Sequence, residues 1–226
     1  MALPAPPVPR VAADRPQSFG EELANAVSHG VGCLLAIAAL PILVIFARRE
    51  GTAINVVAAS VFAATMIVLY LVSTLYHAVP DGRAKRLLNR LDHAAIYLFI
   101  AGSYTPFALG VLHGTWGWTM FGIVWALAAV GIAAKLFNRL RHPLWSTGLY
   151  LAMGWLALLV AGPLFSRMTA GGIAWLLVGG VAYSAGAIVF LFDHRLRYGH
   201  FVWHLFVIAG SACHFFAALW HANSTA

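Results

Sequence analysis

Two histidines, His200 and His204, stand four residues apart in "GHFVWHLFVIAG", at the mouth of a run otherwise fit for lipid. A third, His77, closes the apolar run "YLVSTLYH" one turn after Ser73, and Asp92 opens another in "NRLDHAAIY". Residues four apart share a helix face, so one helix can offer two imidazoles while a second offers a third. Polar side chains in membrane segments are costly and tend to mark sites. Three neutral imidazoles plus a water form a familiar Zn2+ set, whose open position is the mark of a catalytic centre. In the H-E-x-x-H motif of zinc proteases a Glu follows the first His; here that residue is Phe201, so the protease reading fails. A general base must come from elsewhere. Asp92 is the carboxylate at the start of a span close to both histidine segments, and Ser73 could hydrogen-bond the same water or an acyl oxygen.

Whether these residues meet depends on the elements that carry them. The 226 residues are 62% hydrophobic and 9% charged, against roughly 25% charged in soluble proteins. That composition indicates an integral membrane protein. Seven apolar segments follow one another at 27–46, 54–76, 94–112, 116–136, 144–165, 173–192 and 201–220, each near the ~20 residues a spanning helix needs. None alternates polar and apolar residues as a barrel strand would, and helices satisfy their own backbone in lipid. The expectation is an all-α bundle of seven transmembrane helices. Residues 18–226 form one membrane domain, behind a mobile Pro- and Ala-rich tail over residues 1–17 that lacks the apolar core of a signal peptide.

The net charge of +7 could suggest nucleic acid, but the basic residues lie in short loops between apolar runs rather than in one patch. Their distribution instead sets orientation. Arg10, Arg15, Arg83, Lys85, Arg86, Arg90, Lys135, Arg139, Arg141, Arg195 and Arg197 fall on one side, against Arg48, Arg49 and Arg167 on the other. By the positive-inside rule the N-terminus is cytoplasmic and, after seven spans, the C-terminus is outside, in a multi-pass protein of the inner (plasma) membrane. Ser73, His77, Asp92, His200 and His204 then all lie within a turn or two of the cytoplasmic boundary. Cys33 and Cys213 sit inside apolar runs and read as buried free thiols.

The remaining histidines have blander readings. His113, His142 and His221 read as interfacial or packing residues, and His93 and His194, each beside an Asp at a basic boundary, as snorkelling ones. His214, deep in the last segment, reads as a buried hydrogen-bonding residue. For His29 a supporting role at the site and simple packing both stand open. Tyr104, Thr105 and Pro106 read as a kink in the third helix.

The pieces "EELANAVSHGVG" (residues 21–32), "STLYH" (73–77), "RLDHAAIYLFIAGSYTPF" (90–107) and "GHFVWHLFVIAGSACHF" (199–215) together resemble the hemolysin III family, the bacterial branch of the progestin and adipoQ receptor family. The resemblance covers nearly the whole chain after the tail. It implies seven helices and a zinc held by His77, His200 and His204, with Asp92 contacting its water and Ser73 nearby. The short tail sets the chain apart from the family's animal hormone receptors. The broader superfamily includes membrane ceramidases, which implies hydrolysis of a lipid amide or ester, with membrane lipids or a fatty acyl chain as partners. The alternatives are a receptor or lipid sensor with structural zinc, or the channel or lytic factor that the family name implies.

Overall fold

The computed structural model describes residues 15–140 and 142–222. Most of the expected tail and the basic residues Arg10 and Arg141 lie outside the described residues. Among the described residues, eight α-helices build seven spans. α1 (Phe19–Glu50), α2 (Ala53–Ala78), α3 (Arg83–Pro106) and α4 (Gly114–Leu136) are the first four. α3 runs on into a π turn, Phe107–Leu112. α5 (Pro143–Gly154), a 3-10 stretch (Leu156–Val160) and α6 (Ala161–Arg167) make the fifth. α7 (Ala170–Phe192) and α8 (Gly199–His221) are the sixth and seventh.

All seven apolar segments are therefore helical, but the start of the third differs from the sequence expectation. α3 begins at Arg83, so Arg83, Lys85, Arg86 and Arg90 ride on its first turns rather than in a loop. Asp92 consequently sits more than two turns into the helix, not at its opening. The entry into α1 is fixed locally by a capping box: the Ser18 N–H donates to Glu21 Oε2 at 2.9 Å, and Ser18 Oγ accepts the Glu21 N–H.

Outward residues such as Leu34, Val130, Val181 and Trp145 are more than half exposed. Such a surface suits hydrocarbon and would be anomalous in water. The interior holds Phe62, Tyr70, Tyr97, Val124 and Met153, all essentially inaccessible. α1 packs on α2, α2 on α3, α7 on α8 and α8 back on α1. α2 and α3 approach so closely at Gly102 that a Cβ there would lie 1.9 Å from Thr65 Oγ1.

The expected kink at Tyr104–Pro106 takes another form. α3 stays continuous to Pro106, while the Tyr104 hydroxyl crosses to the break in the fifth span. It lies 3.0 and 2.7 Å from the carbonyls of Met153 and Gly154 and accepts the Ala157 N–H at 2.9 Å. Backbone groups freed by a broken helix inside a membrane need such a partner.

Candidate metal centre

His77 lies in the last turn of α2, His200 in the first turn of α8 and His204 one turn further on. Packing α1 against both α2 and α8 brings the three rings together, with centroids 4.8–5.1 Å apart. One ligand-capable nitrogen from each lies within 4.8 Å of the others. The two nitrogens of each ring are differently placed. Nε2 of His77, His200 and His204 is buried without a hydrogen-bond partner, a costly state for three neighbouring polar atoms. Every Nδ1, in contrast, is engaged. His77 Nδ1–H donates to Glu22 Oε2 at 2.7 Å, and His200 Nδ1–H donates to Asp193 Oδ2 at 2.7 Å. His204 Nδ1–H is shared between Ser28 Oγ at 3.0 Å and the Asn25 carbonyl at 3.3 Å. Holding Nδ1–H in this way fixes the tautomer, orients the ring and leaves Nε2 as a bare lone pair, as in metal-ligating histidines. The donor set therefore fits a borderline cation such as zinc.

Much of this support comes from the first three turns of α1, which the site expected from sequence did not include. Glu22 divides its carboxylate between His77 and Lys85 Nζ, the latter at 2.8 Å, and so ties α1 to α2 and α3. Glu21 accepts the backbone N–H of Tyr198 at 2.9 Å. Tyr198 precedes α8 in a left-handed conformation (φ 59°), so this bond anchors the turn that launches His200. Arg15 pairs with the same Glu21, and their hydrogen bond raises the guanidinium pKa above its ordinary value. The available signal was spacing: Glu21, Asn25, Ser28 and His29 share the buried stripe of an otherwise apolar helix.

Asp92 and Ser73 are both buried beside this triad. Ser73 and His200 are both near neighbours of Asp92. Ser73 Oγ lies 2.7 Å from His29 Nδ1. His29 is stacked on His204, centroids 3.4 Å apart and planes within 7°. The other histidines lie elsewhere. His93 Nδ1–H donates to the Asn89 carbonyl, His142 caps α5 by accepting the Leu144 N–H, and His221 bonds to Thr169. His194 neighbours Arg195 at the basic end, and His113 joins the π turn to α4.

A cavity of about 130 Å³ opens from His29 and Asp92 and runs between α3, α5, α7 and α8 past Phe99 and Val207 to His214. A second, of about 100 Å³, shares Ser103, Tyr104, Trp155 and His214 with it and continues past Phe107 and Leu164. Apart from the site itself, the walls are overwhelmingly apolar.

Comparison with known proteins agrees with this architecture. The chain is similar to Hemolysin-3 of Bacillus cereus, 48% identical over 210 residues that cover 93% of this chain and 95% of that protein. It is also similar to the Hemolysin-3 homolog of Bacillus subtilis (strain 168), at 45% over 201 residues, or 89% and 94% of the two chains. More distantly, it resembles the human Monocyte to macrophage differentiation factor, at 27% over 206 residues, 87% and 82% of the two chains. The pattern of the haemolysin-III related family matches residues 17–215, and the chain belongs to that family.

Proposed function

We propose that the protein is a zinc-dependent hydrolase of a membrane-lipid amide or ester, working at the cytoplasmic face of the inner (plasma) membrane and serving lipid homeostasis. The observation that carries this reading is the arrangement of three bare, buried Nε2 atoms beside a buried carboxylate at the head of an apolar cavity.

His77, His200 and His204 would hold the metal through Nε2, with Glu22, Asp193 and the Ser28–Asn25 pair keeping each ring in its donor tautomer. A zinc bound there would supply Lewis acidity, polarising an acyl carbonyl and lowering the pKa of a water so that it gives up a proton more readily as it attacks. Asp92 takes the proton from the attacking water and returns it to the leaving nitrogen or oxygen. Ser73 stands beside that carboxylate, and His29 is hydrogen-bonded to Ser73. The cavity takes the acyl chain and keeps bulk water from the reacting carbonyl. Hydrolysis adds one water across the acyl bond and yields a fatty acid with an amine or alcohol.

The relatives' printed name suggests lysis, and a channel is the rival it brings. A pore needs a continuous polar path, whereas beyond His214 the second cavity is walled by Phe107, Leu112, Met120, Leu164 and Ile173. Metal removal tests the hydrolase directly. Protein in native-like lipid should release fatty acid from a panel of membrane lipids, lose that activity on chelation and regain it with added zinc. No release across a broad panel would instead favour zinc as a clamp between α2 and α8.

A further inference from the structure

The turn from α4 into α5 forms a groove of about 560 Å³ at the basic end of the bundle, lined by Phe137, Asn138, Arg139, Leu140, His142 and Trp145. It shares no residue with the metal centre or the apolar cavities. The backbone that shapes it is fixed locally. Asn138 ends α4 in a left-handed conformation (φ 58°), and the Arg139 N–H turns back to the Ala134 carbonyl at 2.8 Å. Lys135 Nζ donates to the Leu140 carbonyl at 3.0 Å, which holds the far side of the turn.

The side chains around the groove include hydrogen-bond donors but no carboxylate. Arg139 is exposed and forms no ion pair among the described residues. His142 Nδ1 accepts the Leu144 N–H at 3.3 Å, so the neutral ring carries its hydrogen on Nε2 and presents a second donor. The surrounding sequence offers no counter-charge, since residues 93–192 contain neither Asp nor Glu. Glu21, Glu22 and Asp193, at the same end of the bundle, are already engaged by Arg15, Lys85 and the ligand histidines. The apolar part of the wall says which anion fits. Phe137 and Trp145 are 76% and 74% exposed, and Leu144 beside Trp145 is 59% exposed. A small water-borne anion gains nothing from such walls, whereas an anion that carries hydrocarbon can lay it against them. Trp at the level of the lipid heads is the usual interfacial placement.

We propose that this groove binds the phosphate diester head of an anionic phospholipid. Arg139 meets the phosphate, His142 Nε2–H adds a donor, and the start of the lipid chains rests on Phe137 and Trp145. A planar guanidinium can engage a phosphate through paired hydrogen bonds, and basic pockets between spans on the cytoplasmic side take such heads. With no carboxylate lining the groove, the ammonium of a zwitterionic head finds no partner there, whereas a glycerol head needs none. The site stands apart from the hydrolase reading, because none of its residues takes part in that chemistry.

The test titrates full-length protein in nonionic detergent with short-chain phosphatidylglycerol, short-chain phosphatidylcholine or inorganic phosphate, reading bound lipid by native mass spectrometry. Phosphatidylglycerol should bind about tenfold more tightly than phosphatidylcholine, and inorganic phosphate at equal concentration should not displace it. Arg139→Gln should weaken phosphatidylglycerol about tenfold, the worth of one charge-assisted hydrogen bond. Arg139→Lys should keep part of the affinity as a point charge, and Trp145→Ala should lose part of it with the apolar wall. Arg86→Gln, which removes another exposed cation at the same end, should bind like wild type. Lipid-free thermal midpoints equal to wild type report an intact fold in each variant. Equal binding of the two lipids by the wild type overturns the proposal. So do equal effects of Arg139→Gln and Arg86→Gln, which would reduce the preference to the overall charge of that face. Displacement of the lipid by inorganic phosphate at equal concentration would make the groove a site for free anions and overturn it as well.

Discussion

At the scale of single residues, the candidate centre is built on imidazoles whose two nitrogens do different work. If Nε2 of His77, His200 and His204 binds the metal, purified protein should carry about one zinc per chain, and Ala at each position should lower that occupancy. Full zinc retention in all three variants would mean that other residues hold the metal. Glu22→Gln and Asp193→Asn should be milder, keeping the fold while weakening zinc affinity about 10–100-fold in a chelator competition, because they disturb ring orientation and basicity rather than the ligand itself. Affinities equal to wild type would reduce both carboxylates to surface decoration. The three histidines and Ser73 were legible in the sequence because each stands within or at the end of an apolar run, and i, i+4 spacing put pairs on one face, whereas the place of Asp92 within α3 was not. Nor were their partners. Glu22 is 55 positions from His77, and nothing local to either residue announces the bond.

At the scale of elements, close approach between helices sets the geometry of the site. α2 carries His77 and α3 carries Asp92, and at Gly102 of α3 the Thr65 side chain of α2 occupies the space a Cβ would need. Gly102→Ala should overpack this contact at a cost of about 1–3 kcal/mol, read as a lowered thermal midpoint in detergent. Combining it with Thr65→Ala should recover part of the loss, since the two residues share the contact. Additive losses would place the strain elsewhere. The existence of every span was legible from length and hydropathy, because twenty apolar residues have few other uses. Two details were not. The first turns of α3 are amphipathic and basic, so composition reads them as a loop although Lys85 is held there by Glu22. The break in the fifth span depends on a tyrosine hydroxyl arriving from α3, which no reading of the 143–167 segment alone reveals.

At the scale of the whole molecule, charge asymmetry and an odd number of spans predict one orientation in the membrane. A reporter fused after Ala226 should read the external side, opposite the end that carries Arg83, Lys85, Lys135, Arg195 and the metal centre. A cytoplasmic reading would contradict the assignment of the site to the inner face. In the proposed function that orientation would put the polar head of a lipid at the histidines and its chain along the apolar cavity. In the proposed hydrolysis Asp92 moves a proton rather than merely bracing the bundle. The most direct measurement is fatty acid release from a panel of membrane lipids by wild type and Asp92→Asn, in native-like lipid at matched zinc content. The amide keeps the shape but cannot take a proton from water. Release should therefore fall about 10²–10⁴-fold while zinc and thermal stability hold. Equal release by the two proteins would show that Asp92 is not the base.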